Sequence, residues 1–326
     1  MICKLLISPF YDPCLNLAME HVLLETLEPE EEILFLYTND PAVVIGRFQN
    51  PWLESSPGKR GAPQLIRRES GGGTVYHDRG NLNFSFIQNI ENYNRKENLI
   101  RICTLMKGCR INLNINERND LTIDYSGNSY KVSGSAFRHK KDRAFHHGTL
   151  LISSETDKLK QSITPGDQRI FTSAKGTASN RSEIINLNRI NPEITLETVV
   201  NLFRSYYSRT EGMTVPERGR EWWSQFADRP DVSEVRTMLQ SEEWTLGKTP
   251  GFSQVISFPH SPETEHWEIK VSRGVIVQAP RELSFLEGIP YGMKKTKEQL
   301  KQCVRGRSVS GLGEDELFSR LISIIG

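Results

Sequence analysis

The feature that most constrains this chain is a run of three glycines, Gly71–Gly73, within the stretch RRESGGGTVYHDRGNLNFSF at residues 67–86. Strand-like residues precede the run from Gln64 to Arg68 and follow it from Thr74 to His77. Ordering three glycines is costly, because glycine loses the most backbone freedom on folding. A chain accepts this cost where its backbone must approach another group closely. The paired arginines favour a carbonyl-bearing or anionic ligand at this loop; the alternative is a glycine-rich hairpin with an exposed basic edge.

Length and charge narrow the classes of protein. A chain of 326 residues is typical of about two domains. The net charge of +1 gives no reason to expect binding to nucleic acid or to a membrane surface. No apolar run reaches the roughly 20 residues of a spanning helix. The N-terminus is typical of a first strand, not of a signal peptide. The five cysteines form no C-x-x-C pair, which favours reduced, structural thiols.

Hydrophobic spacing predicts the order of the elements. The predicted strands are 2–8, 33–37, 42–45, 121–125 and 149–152, and the predicted helices start at Pro13 and cover 94–110, 197–207 and 217–226. A charged, irregular stretch then precedes a region of short strands and a final helix. These patterns predict a first domain over 1–228, a linker over 229–243 and a small α+β domain over 244–326.

Three loops of small and polar residues alternate with the strands: Gly71–Gly73, VSGSA at 132–136 and AKGTAS at 174–179. Together with Arg68, Lys131 and Lys175 they could hold a phosphate and an adjacent carbonyl group. The chain has no G-x-x-x-x-G-K-[ST] and no G-x-S-x-G, which disfavours a P-loop and a hydrolase elbow. No cysteine lies in these loops. If the chain is an enzyme, the nucleophile therefore comes from the substrate.

His146 and His147 are adjacent in a predicted strand, which directs their side chains to opposite faces. They cannot chelate one metal ion, and no third ligand occurs at a diagnostic spacing. The sequence therefore predicts no metal site.

Four stretches together resemble the lipoate–protein ligase A family: RRESGGGTVYHDRGNLNFSF, RND at 118–120, KVSGSAFRHKKDRAFHHGTLL from 131 and KGTASNRSEIINL from 175. Within this family the chain looks most like the animal mitochondrial lipoyltransferases. The resemblance is dense over about 30–190 and looser around WTLGKTPGF, which begins at Trp244. Biotin ligases share the family's fold but have a G-R-G-R type loop where this chain has ESGGG.

The resemblance implies an α/β fold: a mixed-sheet catalytic domain of the biotin and lipoate ligase type, followed by a small α+β C-terminal domain. It implies lipoyl-AMP as donor substrate, no permanently bound cofactor and a mitochondrial matrix location. The implied acceptors are apo lipoyl domains of 2-oxo acid dehydrogenase complexes and the glycine-cleavage carrier protein. Carried over by position, the lipoyl-AMP pocket would include Arg68, Gly71, Gly72, Gly73, Thr74, Val75, Tyr76, Asp120, His147, Gly148, Thr149, Lys175, Gly176, Thr177, Ala178, Ser179 and Asn180.

Lys131 matches the central lysine of the family and is the expected catalytic residue. An acceptor lysine would attack the acyl carbonyl, and Lys131 would stabilise the developing negative charge, a contribution of about 3–4 kcal/mol. Asp120 either pairs with Lys131 or caps a turn. In ligases that make lipoyl-AMP, the third loop continues S-V-x-S-R-V, whereas here Asn180 and Glu183 replace the valine and the arginine. A carboxylate repels a triphosphate, so we expect efficient use of lipoyl-AMP and poor use of ATP plus lipoate.

Three alternatives stay open. The lipoyl group could come from a lipoylated carrier protein by amide exchange, which needs more transition-state stabilisation because an amine leaves less readily than AMP. The chain could be a full ATP-dependent ligase. It could also be a non-catalytic protein that binds lipoyl domains or lipoyl-AMP, a reading that Lys131 disfavours.

Overall fold

The structure is a computed structural model that describes residues 2–57, 61–165, 169–216, 218–257 and 266–325. The chain divides into two compact units. The first contains residues 1–47, 63–163 and 179–239, and the second contains 48–62, 164–178 and 240–326.

Strands and helices alternate through the described chain. The strands are β1 Ile2–Ile7, β2 Glu31–Tyr37, β3 Ala42–Ile45, β4 Gln64–Arg67, β5 Val75–His77, β6 Asn81–Asn89, β7 Asn114–Ile115, β8 Leu121–Tyr125, β9 Asn128–Ser133, β10 Ser135–His139, β11 Arg143–Leu151, β12 Ile170–Ala174, β13 Met213–Thr214, β14 Phe252–Ser257, β15 His266–Ser272 and β16 Val275–Gln278. The α-helices are α1 Pro13–Glu25, α2 Pro51–Glu54, α3 Arg95–Met106, α4 Thr156–Ser162, α5 Leu187–Ile190, α6 Leu196–Arg209, α7 Arg220–Ala227, α8 Pro230–Gln240, α9 Glu242–Thr245, α10 Lys294–Cys303 and α11 Glu314–Ile325. Short 3-10 helices occupy Ile90–Asn92, Lys107–Cys109 and Arg281–Leu286.

The first unit is built on a mixed six-stranded sheet in the order β10-β11-β6-β2-β1-β13. The strands from β10 to β2 are antiparallel, whereas β2, β1 and β13 are parallel. One face of the sheet carries the main core, in which Phe84 and Phe86 pack with Leu99 of α3 and Phe203 of α6. This arrangement confirms the predicted α/β fold with a mixed sheet.

Helix α1 also contacts this sheet, through β2, β6 and β11. Asp12 caps its start, because the carboxylate accepts hydrogen bonds from the backbone N–H groups of Cys14 and Leu15. Pro13 occupies the first turn, where a missing N–H costs nothing. The helix is buried almost all round and includes the buried carboxylate of Glu20. Its position brings that carboxylate against the sheet.

Two small sheets complete the first unit, in the orders β4-β3-β5 and β7-β8-β9. The hairpin between β8 and β9 turns at Ser126 and Gly127, both with positive φ. The segment 183–185 extends the sheet beside β9: the N–H of Lys131 donates to the carbonyl of Glu183, and the N–H of Ile185 donates to the carbonyl of Lys131. Both the N–H and the carbonyl of Lys131 are therefore hydrogen-bonded to this one segment.

The second unit contains a four-stranded antiparallel sheet in the order β12-β14-β15-β16, together with α10 and α11. Trp52 packs in this unit against Phe252, and edge-on against Tyr291 with ring centroids 4.7 Å apart. A methyl group on Gly292, which has φ +69°, would lie 2.5 Å from Trp52 Cζ2. The unit therefore combines three separate segments of the chain around one aromatic cluster.

Two sequence predictions need correction here. The predicted linker over 229–243 is largely helical, since α8 and α9 occupy Pro230–Gln240 and Glu242–Thr245. The segments 48–62 and 164–178, predicted to be part of the first domain, belong to the second unit. The reason is long-range pairing: β12 hydrogen-bonds to β14, some eighty residues later in the sequence. Local hydrophobic patterns do not encode such pairing. Residue 217, the predicted start of a helix, lies outside the described residues.

Within the described residues, no helix combines the length and the apolar character that a membrane span requires.

Candidate active site

The glycine loop, residues Gly71–Gly73, lies against the end of β3. A methyl group built on Gly46 would be 2.2 Å from the carbonyl oxygen of Gly72 and 3.1 Å from that of Gly71. Gly72 itself has φ +83°, a conformation that favours glycine. The N–H of Arg47 donates to the carbonyl of Ser70 at 2.8 Å. Glycine is therefore required here by close approach of two backbone segments.

The paired arginines bind the protein's own backbone. Arg68 is buried, and its Nη2 donates to the carbonyls of Gly71 at 2.6 Å and Gly73 at 2.7 Å. Arg67 is also buried, and its Nη1 donates to the carbonyls of Gly46 and Arg47. The sequence predicted that these guanidinium groups face a ligand. The structure corrects this: each guanidinium faces carbonyl groups, but they belong to the loops beside it.

Burial has an electrostatic consequence for Arg68. Desolvation lowers its pKa to about 10, while the nearby Tyr37 and Glu20 favour its charged form. The side chain therefore stays charged at neutral pH. Its remaining bonds go to the carbonyl of Val44 at 3.0 Å and the hydroxyl of Ser70 at 2.9 Å. The result is a cation buried inside the wall of the loop.

Lys131 is held by a carboxylate. Its Nζ lies 2.8 Å from Asp120 Oδ1, and the lysine side chain is 24% exposed. Of the two alternatives for Asp120, the structure has the pair; the turn is capped by Asn116, whose Oδ1 accepts from the N–H of Asp120. An ammonium group held at one point, yet open to solvent, can donate to an incoming anion or carbonyl oxygen.

The stretch 134–136 brings Lys131 and the glycine loop to one place. A methyl group on Gly134 would lie 3.3 Å from Lys131 Nζ, and a methyl group on Gly72 would lie 3.3 Å from Ala136 Cβ. Strand β10 pairs with β11 so that Ala136 faces His147 in register. Lys131 therefore lies beside Gly134 and the glycine loop lies beside Ala136, two positions further along the chain.

Gly148 and Thr149 stand next to this stretch. The N–H of Thr149 donates to the carbonyl of Gly134 at 3.2 Å, and its hydroxyl accepts from the N–H of Gly134. A methyl group on Gly148 would lie 2.6 Å from that same carbonyl and 2.5 Å from the ring of Phe84. These two residues therefore fix the turn beside Lys131.

Ser179 joins the same neighbourhood, because its hydroxyl accepts from the N–H of Thr74 at 2.8 Å. Asn180 and Glu183 are exposed. The other expected members of this loop, Lys175, Gly176, Thr177 and Ala178, belong to the second unit. There the N–H of Lys175 donates to the carbonyl of Gly251, and the N–H of Thr177 donates to the carbonyl of Phe48.

Two further expected residues lie in β5. Val75 is half-buried. Tyr76 is 2% exposed and packs in a hydrophobic cluster with Val43, Leu151 and Leu159. Burial raises the pKa of Tyr76 to about 12, helped by the negative charge of Asp78. Its ring is therefore part of the core, although the sequence predicted it in the pocket wall.

The described residues contain no group of three or more His, Cys, Asp or Glu side chains arranged to hold a metal ion. All five cysteines are free thiols.

Comparison with known proteins identifies the family. Residues 12–208 match the lipoyl protein ligase A/B catalytic domain. The chain belongs to this family. It is 36% identical over 280 residues to the lipoate-protein ligase A of Psychrobacter cryohalolentis, covering 84% of this chain and 77% of that protein. It is 33% identical to the lipoate-protein ligase A of Bdellovibrio bacteriovorus, covering 99% of this chain and 92% of that protein.

Solved structures of the family share the fold. P. falciparum LipL1 in complex with lipoate superposes with a TM-score of 0.63 at 26% identity and covers 97% of both chains. A lipoate-protein ligase A bound with ATP has a TM-score of 0.57 at 21% identity, covering 75% of this chain and 98% of that one. The predicted family is therefore confirmed, and the chain is an enzyme of the lipoate–protein ligase type.

The sequence prediction missed several residues that lie in or beside the candidate site. The sequence shows that Gly46 follows a predicted strand. It does not show that glycine is required there, because the requirement comes from a loop some twenty-five residues later in the chain. Nothing in the sequence marks Glu20 as a site residue, because a glutamate within a helix ordinarily lies at the surface. Glu69 also went unnoticed. Burial raises its pKa, but hydrogen bonding to His21 and the charge of Arg138 outweigh this effect, so its pKa is lowered overall. His21 Nδ1 and Arg138 Nη1 each lie 2.5 Å from Glu69 Oε2.

Proposed function

We propose that this enzyme transfers the lipoyl group of lipoyl-AMP to the ε-amino group of a lysine on a lipoyl domain. The amine nitrogen bonds to the acyl carbon, the bond from that carbon to the phosphate oxygen breaks, and AMP leaves with the electron pair. The nitrogen loses its extra proton to water, and the product is an amide. The observation that carries the proposal is the ammonium group of Lys131, fixed by Asp120 beside the stretch that also contacts the glycine loop.

Lys131 supplies positive charge where negative charge develops. When the amine adds, the carbonyl oxygen becomes anionic, and the departing phosphate carries a further charge. An ammonium already held in place loses little freedom when it meets this charge. Removal of one such donor typically costs about 10²–10³ in rate. The backbone N–H and carbonyl of Lys131 are both bonded to the segment 183–185, and this rigidity supports the role.

The acceptors proposed are apo lipoyl domains of 2-oxo acid dehydrogenase complexes and the glycine-cleavage carrier protein. Support comes from a solved relative from Thermoplasma acidophilum, described as a bipartite lipoate protein ligase and its E2 lipoyl domain, which shares the fold at a TM-score of 0.58. The mitochondrial matrix stays a prediction; the two curated relatives described above come from bacteria.

A full ATP-dependent ligase is the second candidate. It is favoured by one observation: the side chain of Glu183 is exposed. Water and salt screen an exposed carboxylate, so its repulsion of a triphosphate is weaker than the sequence argument assumed. Both bacterial relatives described above are named lipoate-protein ligase A, which agrees with this candidate.

The test uses an apo lipoyl domain and three donors: lipoyl-AMP, ATP with lipoate and magnesium, and a lipoylated carrier protein. The mass of the acceptor is followed over time. We expect rapid addition of one lipoyl group from lipoyl-AMP and a loss of about 10²–10³ in rate for Lys131→Ala. Lys158→Ala is the matched control, because Lys158 also pairs with a carboxylate but is exposed on α4. An unchanged rate in Lys131→Ala would refute the proposed role.

The ATP arm separates the two candidates. Transfer from ATP plus lipoate at a rate comparable with lipoyl-AMP identifies a ligase. Slow transfer that accelerates in Glu183→Arg identifies a transferase in which this position limits activation. Transfer from the lipoylated carrier alone identifies amide exchange.

A further inference from the structure

A chain of buried hydrogen bonds runs from helix α1 to the glycine loop. Both oxygens of Glu20 lie 3.1 Å from His147 Nδ1, and His147 Nε2 lies 2.8 Å from Ser70 Oγ. Ser70 Oγ in turn accepts from Arg68 Nε at 2.9 Å. Glu20, Arg68, Ser70 and His147 are all less than 10% exposed. We propose that Glu20 and His147 are positioning residues, which hold the glycine loop through Ser70 and Arg68.

Two of these bonds have a fixed direction, because a guanidinium can only donate and a carboxylate can only accept. His147 therefore carries a proton on Nδ1, facing Glu20. Its Nε2 either accepts from the hydroxyl of Ser70 or donates to the oxygen, and in both cases that oxygen keeps a lone pair for the Nε–H of Arg68. The opposite tautomer would place a lone pair of Nδ1 against the carboxylate of Glu20.

Serine, histidine and a carboxylate in this order resemble a nucleophilic triad, but two observations exclude that role here. Ser70 is only 1% exposed, so a substrate carbonyl cannot reach its oxygen. That oxygen also already accepts a bond from a buried cation. The series of hydrogen bonds therefore ends at the other side of the Arg68 guanidinium, where Nη2 donates to the carbonyls of Gly71 and Gly73.

A glycine loop needs such support. Three glycines have wide conformational freedom, whereas a binding site must hold its groups within about 0.5 Å of the productive geometry. The guanidinium removes part of this freedom, and Ser70, His147 and Glu20 fix the guanidinium in turn. The proposal rests on the proposed function in one respect: the loop is taken to form the wall that binds lipoyl-AMP.

The test compares Glu20→Ala, Glu20→Gln and Ser70→Ala with Glu32→Gln. Glu32 is the matched control, because it is also a buried carboxylate of the first unit but pairs with Gln88 and Arg101, outside this set of hydrogen bonds. With lipoyl-AMP as donor, we expect KM for lipoyl-AMP to rise about 10- to 100-fold in Glu20→Ala and Ser70→Ala. Glu20→Gln retains an oxygen that accepts from Nδ1, so it should recover much of the loss. KM for the acceptor domain should not change.

Two readouts are independent of activity. Nitrogen NMR of the wild-type protein should find a proton on His147 Nδ1. Amide hydrogen exchange at 71–73 should accelerate in Ser70→Ala and Glu20→Ala, while exchange in β6 and β11 stays slow. Wild-type KM and wild-type exchange in both variants would overturn the proposal, as would a lipoyl adduct on Ser70. If wild-type protein does not transfer from lipoyl-AMP, the proposed function fails, and the exchange and NMR results still decide the positioning role.

Discussion

Replacing Gly46 by alanine should displace the glycine loop. The added methyl carbon would lie 2.2 Å from the backbone oxygen of Gly72, whereas ordinary contacts begin at 3.4 Å. The oxygen must therefore retreat by about 1 Å, and no rotamer change relieves the clash because both groups belong to the backbone. Overpacking of this kind typically costs about 1–3 kcal/mol of stability. A displacement of about 1 Å in a site can reduce the rate about 100-fold.

The matched control is Gly80→Ala. Its methyl carbon would lie 2.3 Å from the backbone oxygen of Ser153 and 2.6 Å from the backbone nitrogen of Ser154, so the clash is at least as severe but lies outside the glycine loop. We expect urea titrations to show a loss in the free energy of unfolding that is at least as large in Gly80→Ala as in Gly46→Ala. Only Gly46→Ala should raise KM for lipoyl-AMP, by about 10- to 100-fold. If a folded Gly46→Ala variant binds lipoyl-AMP like the wild type, the loop is not the wall of the donor pocket.

Three further predictions concern titratable groups. The folded-state pKa of Glu69 is lowered, so its contribution to stability is present above its unfolded pKa of about 4.3 and is lost as pH falls through the folded value. The difference in unfolding free energy between wild type and Glu69→Gln should therefore shrink steadily as the pH falls below about 4, and a difference that grows or stays constant on acidification contradicts this. Burial lowers the pKa of His77 to about 3. Below about pH 6.5 the unfolded state therefore binds more protons than the folded state. The free energy of unfolding should consequently fall on acidification, by up to about 1.4 kcal/mol per pH unit. His77→Gln should flatten that slope, as measured by urea titrations at several pH values, and an unchanged slope would be the contrary result. Burial raises the pKa of the Cys3 and Cys14 thiols to about 12, so mass spectrometry should find neither alkylated at pH 8 until the protein unfolds; rapid labelling of the native protein would show that the thiols are accessible.

Much of the site could be predicted because its parts lie in contiguous motifs. The glycine run, the hairpin at Ser126 and Gly127 and the lysine that follows it are all local signals. The pairing of Lys131 with Asp120 was one of two alternatives, since both residues lie near the same hairpin. What escaped prediction depends on contacts between distant parts of the chain. The start of α1 was predicted, but the sequence could not show that Glu20 faces a histidine more than a hundred residues away.

The domain boundaries failed for the same reason. A segment such as 164–178 has the composition of a polar loop, and nothing local indicates that β12 pairs with β14. Tyr76 illustrates the converse error. A position that follows a binding motif was assigned to the pocket, although its ring fills a hydrophobic cluster. Whether a side chain packs in the core depends on its neighbours in the fold, and not on its position in a motif.

Arg68 orders the glycine loop that we propose as the wall of the donor pocket. A glycine run by itself suggests flexibility, and ordering such a loop on binding would cost affinity. Burying a guanidinium is also unfavourable, unless its donors are satisfied. In this protein the same bonds reduce both costs: the guanidinium donates four hydrogen bonds to oxygens of Val44, Ser70, Gly71 and Gly73, and those to Gly71 and Gly73 order the glycine loop. The arginine therefore contributes to binding by pre-ordering the backbone, and Arg68→Lys, which keeps the charge but loses the planar fork, should lose most of this effect.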